Sequence, residues 1–167
     1  GRKPYQGRSV LRGGEPHLAQ DHDATMFAGE KLRLIFENAF DGISIYEEIL
    51  PEDKRILLEC NERYCQMAGR SKEELLALMD TRIIQSSIQD AAKTSDAESV
   101  RTGQAFSGLF SWLRPDGKEN IIEYSAAPTI VGGRYFTIGL DRDITERRRA
   151  QAELDAGRPT GRGRRFG

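Results

Sequence analysis

Residues 106–140 constrain the fold more than any other stretch of the chain. Phe106, Phe110 and Trp112 share one face of a period-2 pattern, with Gly108 between them. Pro115-Asp116-Gly117 follows, where proline presets φ and glycine accepts a positive φ, so the chain reverses. Ile121–Ile130 is the return strand, and Gly132-Gly133 reverses the chain again into Arg134–Leu140. Strands joined by tight hairpins must pair antiparallel, because parallel neighbours need a long crossover. A doubly wound parallel sheet is thereby excluded.

The first half adds two strands and a set of short helices. Leu32, Ile35, Phe36, Ala39 and Phe40 recur at helical spacing and predict a leading helix with one apolar stripe. Ile43–Tyr46 alternates as a half-buried strand, and Pro51-Glu52-Asp53 turns the chain. Ile56–Cys60 is the next strand, with Ile56, Leu58 and Cys60 expected on one face. Asn61 is a helix N-cap for residues 62–68, and Gly69 is the stop. Ser71 with Glu74 forms a capping box ahead of Leu75–Met79. Ser87 with Asp90 repeats that spacing before a longer helix closed by Gly103. Asp143 with Glu146 repeats it once more and starts an exit helix that runs to about Leu154. The pattern predicts an α+β fold: a five-stranded antiparallel sheet with helices on one face, flanked by N- and C-terminal helices.

The domain occupies residues 26–155. Residues 1–25, with Pro4, Pro16 and no sustained period, read as a disordered tail or linker. Residues 156–167 alternate Gly with Arg158, Arg162, Arg164 and Arg165 and read the same way. That tail carries a charge of +4 while residues 26–155 carry −6. An acidic folded part has no basic face for phosphates, so no nucleic-acid partner is expected. No apolar run reaches the length of a membrane span or a secretory signal. Cys60 and Cys65 are too few for a disulfide framework, and reduced thiols point to the cytoplasm.

Four segments in this order resemble the PAS domain, the sensory module of bacterial signalling proteins, over about residues 30–154. They are Asn38–Ile43, the run from Cys60 to Leu75, Arg114-Pro115-Asp116-Gly117, and Gly139–Arg147 with its Asp143-Ile144-Thr145. The resemblance implies a strand order of 2-1-5-4-3, a pocket between sheet and helices, and control of a separate effector such as a histidine kinase or diguanylate cyclase. It makes Asp143 and Thr145 the relay between the last strand and the exit helix.

The resemblance also lets cofactors be tested position by position. The light-sensing flavin branch carries its reactive cysteine where Asp80-Thr81-Arg82-Ile83-Ile84-Gln85 places Thr81. A threonine hydroxyl has no accessible anion near neutral pH, so photoadduct chemistry is argued against. That branch's glutamine falls at Asp141 and its asparagine at about Ile122. Haem-binding members use a histidine on the long helix, whereas His17 and His22 both lie ahead of the domain, so haem of that type is argued against as well. The same histidines sit in a solvated tail, and no metal site is expected.

Phe36, Ile45, Leu58, Tyr64, Met67, Leu78, Ile83, Phe110, Trp112, Tyr124 and Ile138 read either as plain core or as the lining of a pocket for an unknown small molecule, and no cofactor is assigned. A domain without a histidine has no Ser/His/Asp or Cys/His arrangement, so no catalytic residue is named and a regulatory role is expected. The stripe of the leading helix needs a partner surface, which a second copy supplies, so a homodimer through that helix is expected. The alternative is a ligand-free module acting in dimerisation or protein–protein contact alone.

Overall fold

Alternation along Gly42–Ile49 sets the sheet. Gly42, Ser44, Tyr46 and Glu48 turn inward, and the residues between them sit half-buried on the other face. The computed structural model describes residues 16–88 and 96–158. These divide into a leading unit that ends at Ile35 and a second unit that starts at Phe36.

The elements run α1 (Pro16–Glu37), β1 (Gly42–Ile49), β2 (Lys54–Cys60), α2 (Glu62–Ala68) and α3 (Lys72–Leu78). A 3-10 turn (Thr81–Ile84), β3 (Gln85–Ser87) and α4 (Asp96–Thr102) come next. The chain closes with β4 (Phe106–Trp112), β5 (Ile122–Val131), β6 (Arg134–Asp143) and α5 (Thr145–Ala156). The sheet is antiparallel throughout, in the order β2-β1-β6-β5-β4-β3.

That order is the expected five-strand arrangement with β3 added at one edge. The extra strand is three polar residues, Gln85-Ser86-Ser87, too short and too hydrophilic to announce itself by period. Both hairpins form where the glycines predicted them, and Gly132 and Gly133 take φ of 57° and 75°.

Local signals also hold through the helical middle. Asn61 Oδ1 accepts from Tyr64 N at 3.1 Å and from Ile43 N at 2.8 Å. Its Nδ2 donates to Phe36 O and Asp41 O. One amide therefore fastens the start of α2 to the start of β1. The Ser71–Glu74 capping box is complete.

Four expectations change. Helix starts at Pro16, ten residues ahead of the expected boundary, and it ends at Glu37, so Ala39 and Phe40 lie beyond it. Ser87 pairs in β3 rather than capping a helix, and Asp90 lies outside the described residues. The Asp143–Glu146 box does not form, because Asp143 turns to Thr145 instead. In β2 the partners step from Ile45↔Glu59 to Tyr46↔Leu57, which leaves Leu58 as an extra residue. The bulge breaks the period, so Leu57 and Cys60 are buried while Leu58 is 42% exposed.

The main core gathers Trp112, Tyr64, Leu75, Leu57, Met67 and Ile122. Trp112 packs edge-on against Tyr64 at 5.2 Å and against Phe110 at 5.1 Å between ring centroids. Asn120 binds this core to α2, accepting from Trp112 N and donating to Met67 O. No helix among the described residues is long and apolar enough to cross a membrane.

Candidate ligand cavity

The inner face of the sheet is more polar than its outer face, and this shapes the site. Pairing sets Tyr46 opposite Thr137, Ser44 opposite Gly139 and Gly42 opposite Asp141. On the far side of β6, Asp141 is matched with Tyr124 and Gly139 with Ala126. These residues, Gly42 apart, enclose with Phe106 and Phe110 of β4, Arg55 of β2, and Arg82 and Gln85 near β3 a cavity of about 560 Å³.

Its polar groups fall into three sets. Tyr46, Tyr64 and Thr81 form a hydroxyl cluster, with Tyr46 Oη and Tyr64 Oη in contact. Thr81 Oγ1 lies 2.7 Å from the former and 3.1 Å from the latter. Burial pushes the Tyr46 phenol up to about 12 and raises that of Tyr64 well above its ordinary value, so both stay protonated. The second set is paired charge. Arg55 bonds Glu48 at 2.8 Å, and Arg82 bonds Asp80 at 2.7 Å and Asp53 at 3.2 Å.

The third set is unpaired. Asp141 is 5% exposed, and no hydrogen-bond donor among the described residues reaches its carboxyl. Burial pushes that carboxyl up to about 7, while Arg55 pulls it down and Asp41 raises it further. Thr137 Oγ1, buried two inward positions away, also lacks a partner among the described residues.

Asp141 leads directly to the joint with α5. Two residues on, Asp143 Oδ1 accepts from Thr145 N at 2.9 Å and from Thr145 Oγ1 at 2.5 Å. Thr145 Oγ1 in turn accepts from Ile121 N at 2.9 Å, and Ile144 N donates to Ile121 O at 2.9 Å. The first turn of α5 is thus pinned to the start of β5.

Comparison with solved structures gives this arrangement its context. A PAS domain from a two-component sensor histidine kinase matches with a TM-score of 0.56 at 19% identity, over 71% of this chain and 98% of that one. A domain of a sensory box sensor histidine kinase/response regulator from Geobacter sulfurreducens matches at 0.52 with 22% identity, over 71% and 96%. An RNA-binding light-oxygen-voltage receptor matches at 0.59 with 19% identity, over 79% of this chain and 38% of the receptor. The chain has the PAS fold. No family model and no curated protein matches the sequence.

Within this PAS fold, the expected pocket residues do not stay together. Tyr64, Phe110 and Tyr124 line the cavity. Met67 and Trp112 are buried in the core beside it, and Leu78 is half-buried at the end of α3. Ile45 and Ile138 face each other on the outer side of the sheet, where Ile138 is 43% exposed. Leu58 bulges outward, Ile83 is 65% exposed on the 3-10 turn, and Phe36 contributes its carbonyl to Asn61. Asp143 and Thr145 stand together at the expected joint.

Hydrophobic pattern missed the polar lining: Ser44, Tyr46, Thr137 and Asp141. A signal existed for Asp141, a lone carboxylate between Gly139-Leu140 and Arg142 in a β segment, where an aspartate is disfavoured. Thr81 was placed from sequence, and its hydroxyl belongs to the buried cluster.

Proposed function

We propose that this PAS domain is a sensory relay module: a small molecule occupies the cavity, and the change passes along β6 through Asp143 and Thr145 to α5. The observation that carries this reading is the placement of Asp141. An unpartnered buried carboxyl belongs to a strand that reaches the helix joint two residues later. An orphaned polar group of that kind is costly to bury, and a ligand that satisfies it stabilises one arrangement of the strand.

The output is a separate effector, a histidine kinase or diguanylate cyclase; two of the similar structures come from sensor histidine kinases. The module itself carries no catalytic role in this reading. It works as a homodimer through α1, whose Met26, Phe27, Leu32, Leu34 and Ile35 are exposed. It is cytoplasmic, consistent with Cys60 and Cys65, which are free thiols with their sulfurs 3.8 Å apart.

The ligand is not a photoadduct-forming flavin. Thr81 stands in the thiol position with its hydroxyl held by two tyrosines, and Ile122 is fully buried in the core.

The test is mass spectrometry of material released from the purified, denatured protein, together with an absorbance scan of the native one. A compound recovered in stoichiometric amount supports the sensory reading. A clean blank from protein made in several hosts overturns it and leaves dimerisation or relay without a ligand.

A further inference from the structure

Building on that ligand-cavity reading, we propose that the cavity selects a small organic cation of the amidinium, guanidinium or ammonium class, held at Asp141. Charge accounting is the first argument. The two guanidinium groups that reach the cavity are each held by carboxylates, Arg55 by Glu48 and Arg82 by Asp80 and Asp53. Asp141 is the lining carboxylate that no cation among the described residues pairs, and it is buried. A ligand that brings the missing positive charge restores balance, whereas an anion would meet an uncompensated carboxylate in a medium that screens poorly.

Shape is the second argument. Thr137 and Asp141 lie on the same face of β6 with Gly139 between them, and a side chain at Gly139 would strike Ser44 Oγ at 2.6 Å. The Ser44 hydroxyl therefore covers Gly139, and the floor at the inward position next to Asp141 is small and polar. Amidinium and guanidinium groups are planar forks suited to a carboxylate, and their hydrogens reach more than one acceptor.

The walls supply the third argument. Phe106, Phe110 and Tyr124 form a tilted cluster with centroids 5.9 to 6.3 Å apart, and all three line the cavity. Aromatic faces attract cations, and the attraction grows where water is excluded.

Binding of such a ligand is linked to pH. The titratable and charged groups that face Asp141 are Arg55 with Glu48, Asp41, Tyr46, Tyr64, Tyr124, and Asp53 with Arg82. Tyr46 and Tyr64 stay neutral and the arginines are already paired. The proton released on cation binding therefore comes from Asp141, so affinity for a cation falls below pH 7 by about tenfold per unit and levels off above it.

The experiment compares matched probes by calorimetry and ligand-observed NMR on the whole chain: benzamidine against benzamide, and phenylguanidine against phenylurea. Each pair keeps shape and changes charge. The expected result is binding of the cation about tenfold or more tighter than its neutral partner. In Asp141→Asn that preference disappears, and so does the pH profile. Equal affinities, tighter neutral probes, or no cation binding at millimolar concentration overturn the proposal. The paired probes on the unaltered chain decide the matter even where Asp141→Asn does not fold. A stoichiometric neutral or anionic compound released from the purified protein overturns the cation class and leaves the sensory reading standing. A blank extract removes the sensory reading, while the probe pairs still judge the class.

Discussion

Gly108 and Tyr124 face each other across β4 and β5, and a methyl group placed on Gly108 would come within 2.7 Å of the Tyr124 phenol oxygen. The ring lies over the bare backbone there, in contact with Phe106 and Phe110. Gly108→Ala forces the ring aside and breaks that cluster at a cost of about 1–3 kcal/mol in urea unfolding. The double variant Gly108→Ala with Tyr124→Leu recovers part of the loss. A double variant no more stable than Gly108→Ala would show that the clash is not the cause.

Asp141 gives stability a pH signature with a definite sign. Its carboxyl is raised in the folded chain to about 7. Between about pH 4 and 7 the folded state therefore holds a proton that the unfolded state has released. Stability contributed by the protonated carboxyl is complete below about pH 4 and is lost as pH rises through 7. Asp141→Asn removes this dependence. Its stability relative to the parent chain climbs by about 2–4 kcal/mol across that window and then stays level. Urea titrations at a series of pH values test this, and parallel curves for the two proteins would refute it.

Asn61 holds four backbone groups from three segments. Asn61→Ala leaves the N–H groups of Ile43 and Tyr64 without acceptors and costs about 2–4 kcal/mol. Asn61→Asp retains the acceptors, loses the two donations, and falls between the two in denaturant midpoint at neutral pH. An alanine variant within 0.5 kcal/mol of the parent, roughly the noise level of a surface change, would count against this role.

Thr145→Val keeps the shape of the side chain and deletes its hydroxyl. Asp143 then loses one donor and Ile121 N loses its acceptor. Overall stability drops by about 1–2 kcal/mol, and hydrogen exchange quickens at Ile121 and in the first turn of α5 while β1 and β2 keep their protection. Thr145→Ser restores the slow exchange. Uniform quickening across the sheet would mean that the joint is not a local fastening.

The parts of this fold that the sequence makes legible are those governed by near neighbours. Asn61, the Ser71–Glu74 box and the Gly132-Gly133 turn act within a few residues, and each forms as its spacing predicts. Leu58 was misplaced because a bulge is a property of two paired strands, and its own segment alternates well. The cavity was misread for a related reason. Period-2 alternation along β1 and β6 is correct, but the phase is opposite to what hydrophobicity alone selects. Ile45 and Ile138 are outside, whereas Ser44, Thr137 and Asp141 are inside. A sheet that lines a polar space with its inner face breaks the rule that oily residues mark the core. The same rupture is what marks the site.

The cluster of Tyr46, Tyr64 and Thr81 has a consequence of its own. Three hydroxyls in mutual reach close a loop in which every oxygen gives one hydrogen and receives another. That loop has two directions of circulation, clockwise and anticlockwise, with the same number of bonds in each. Reversing it moves no heavy atom and changes no net charge. In either direction the three hydrogens stay inside the loop, so what the cluster leaves over for a guest beside Asp141 is oxygen lone pairs.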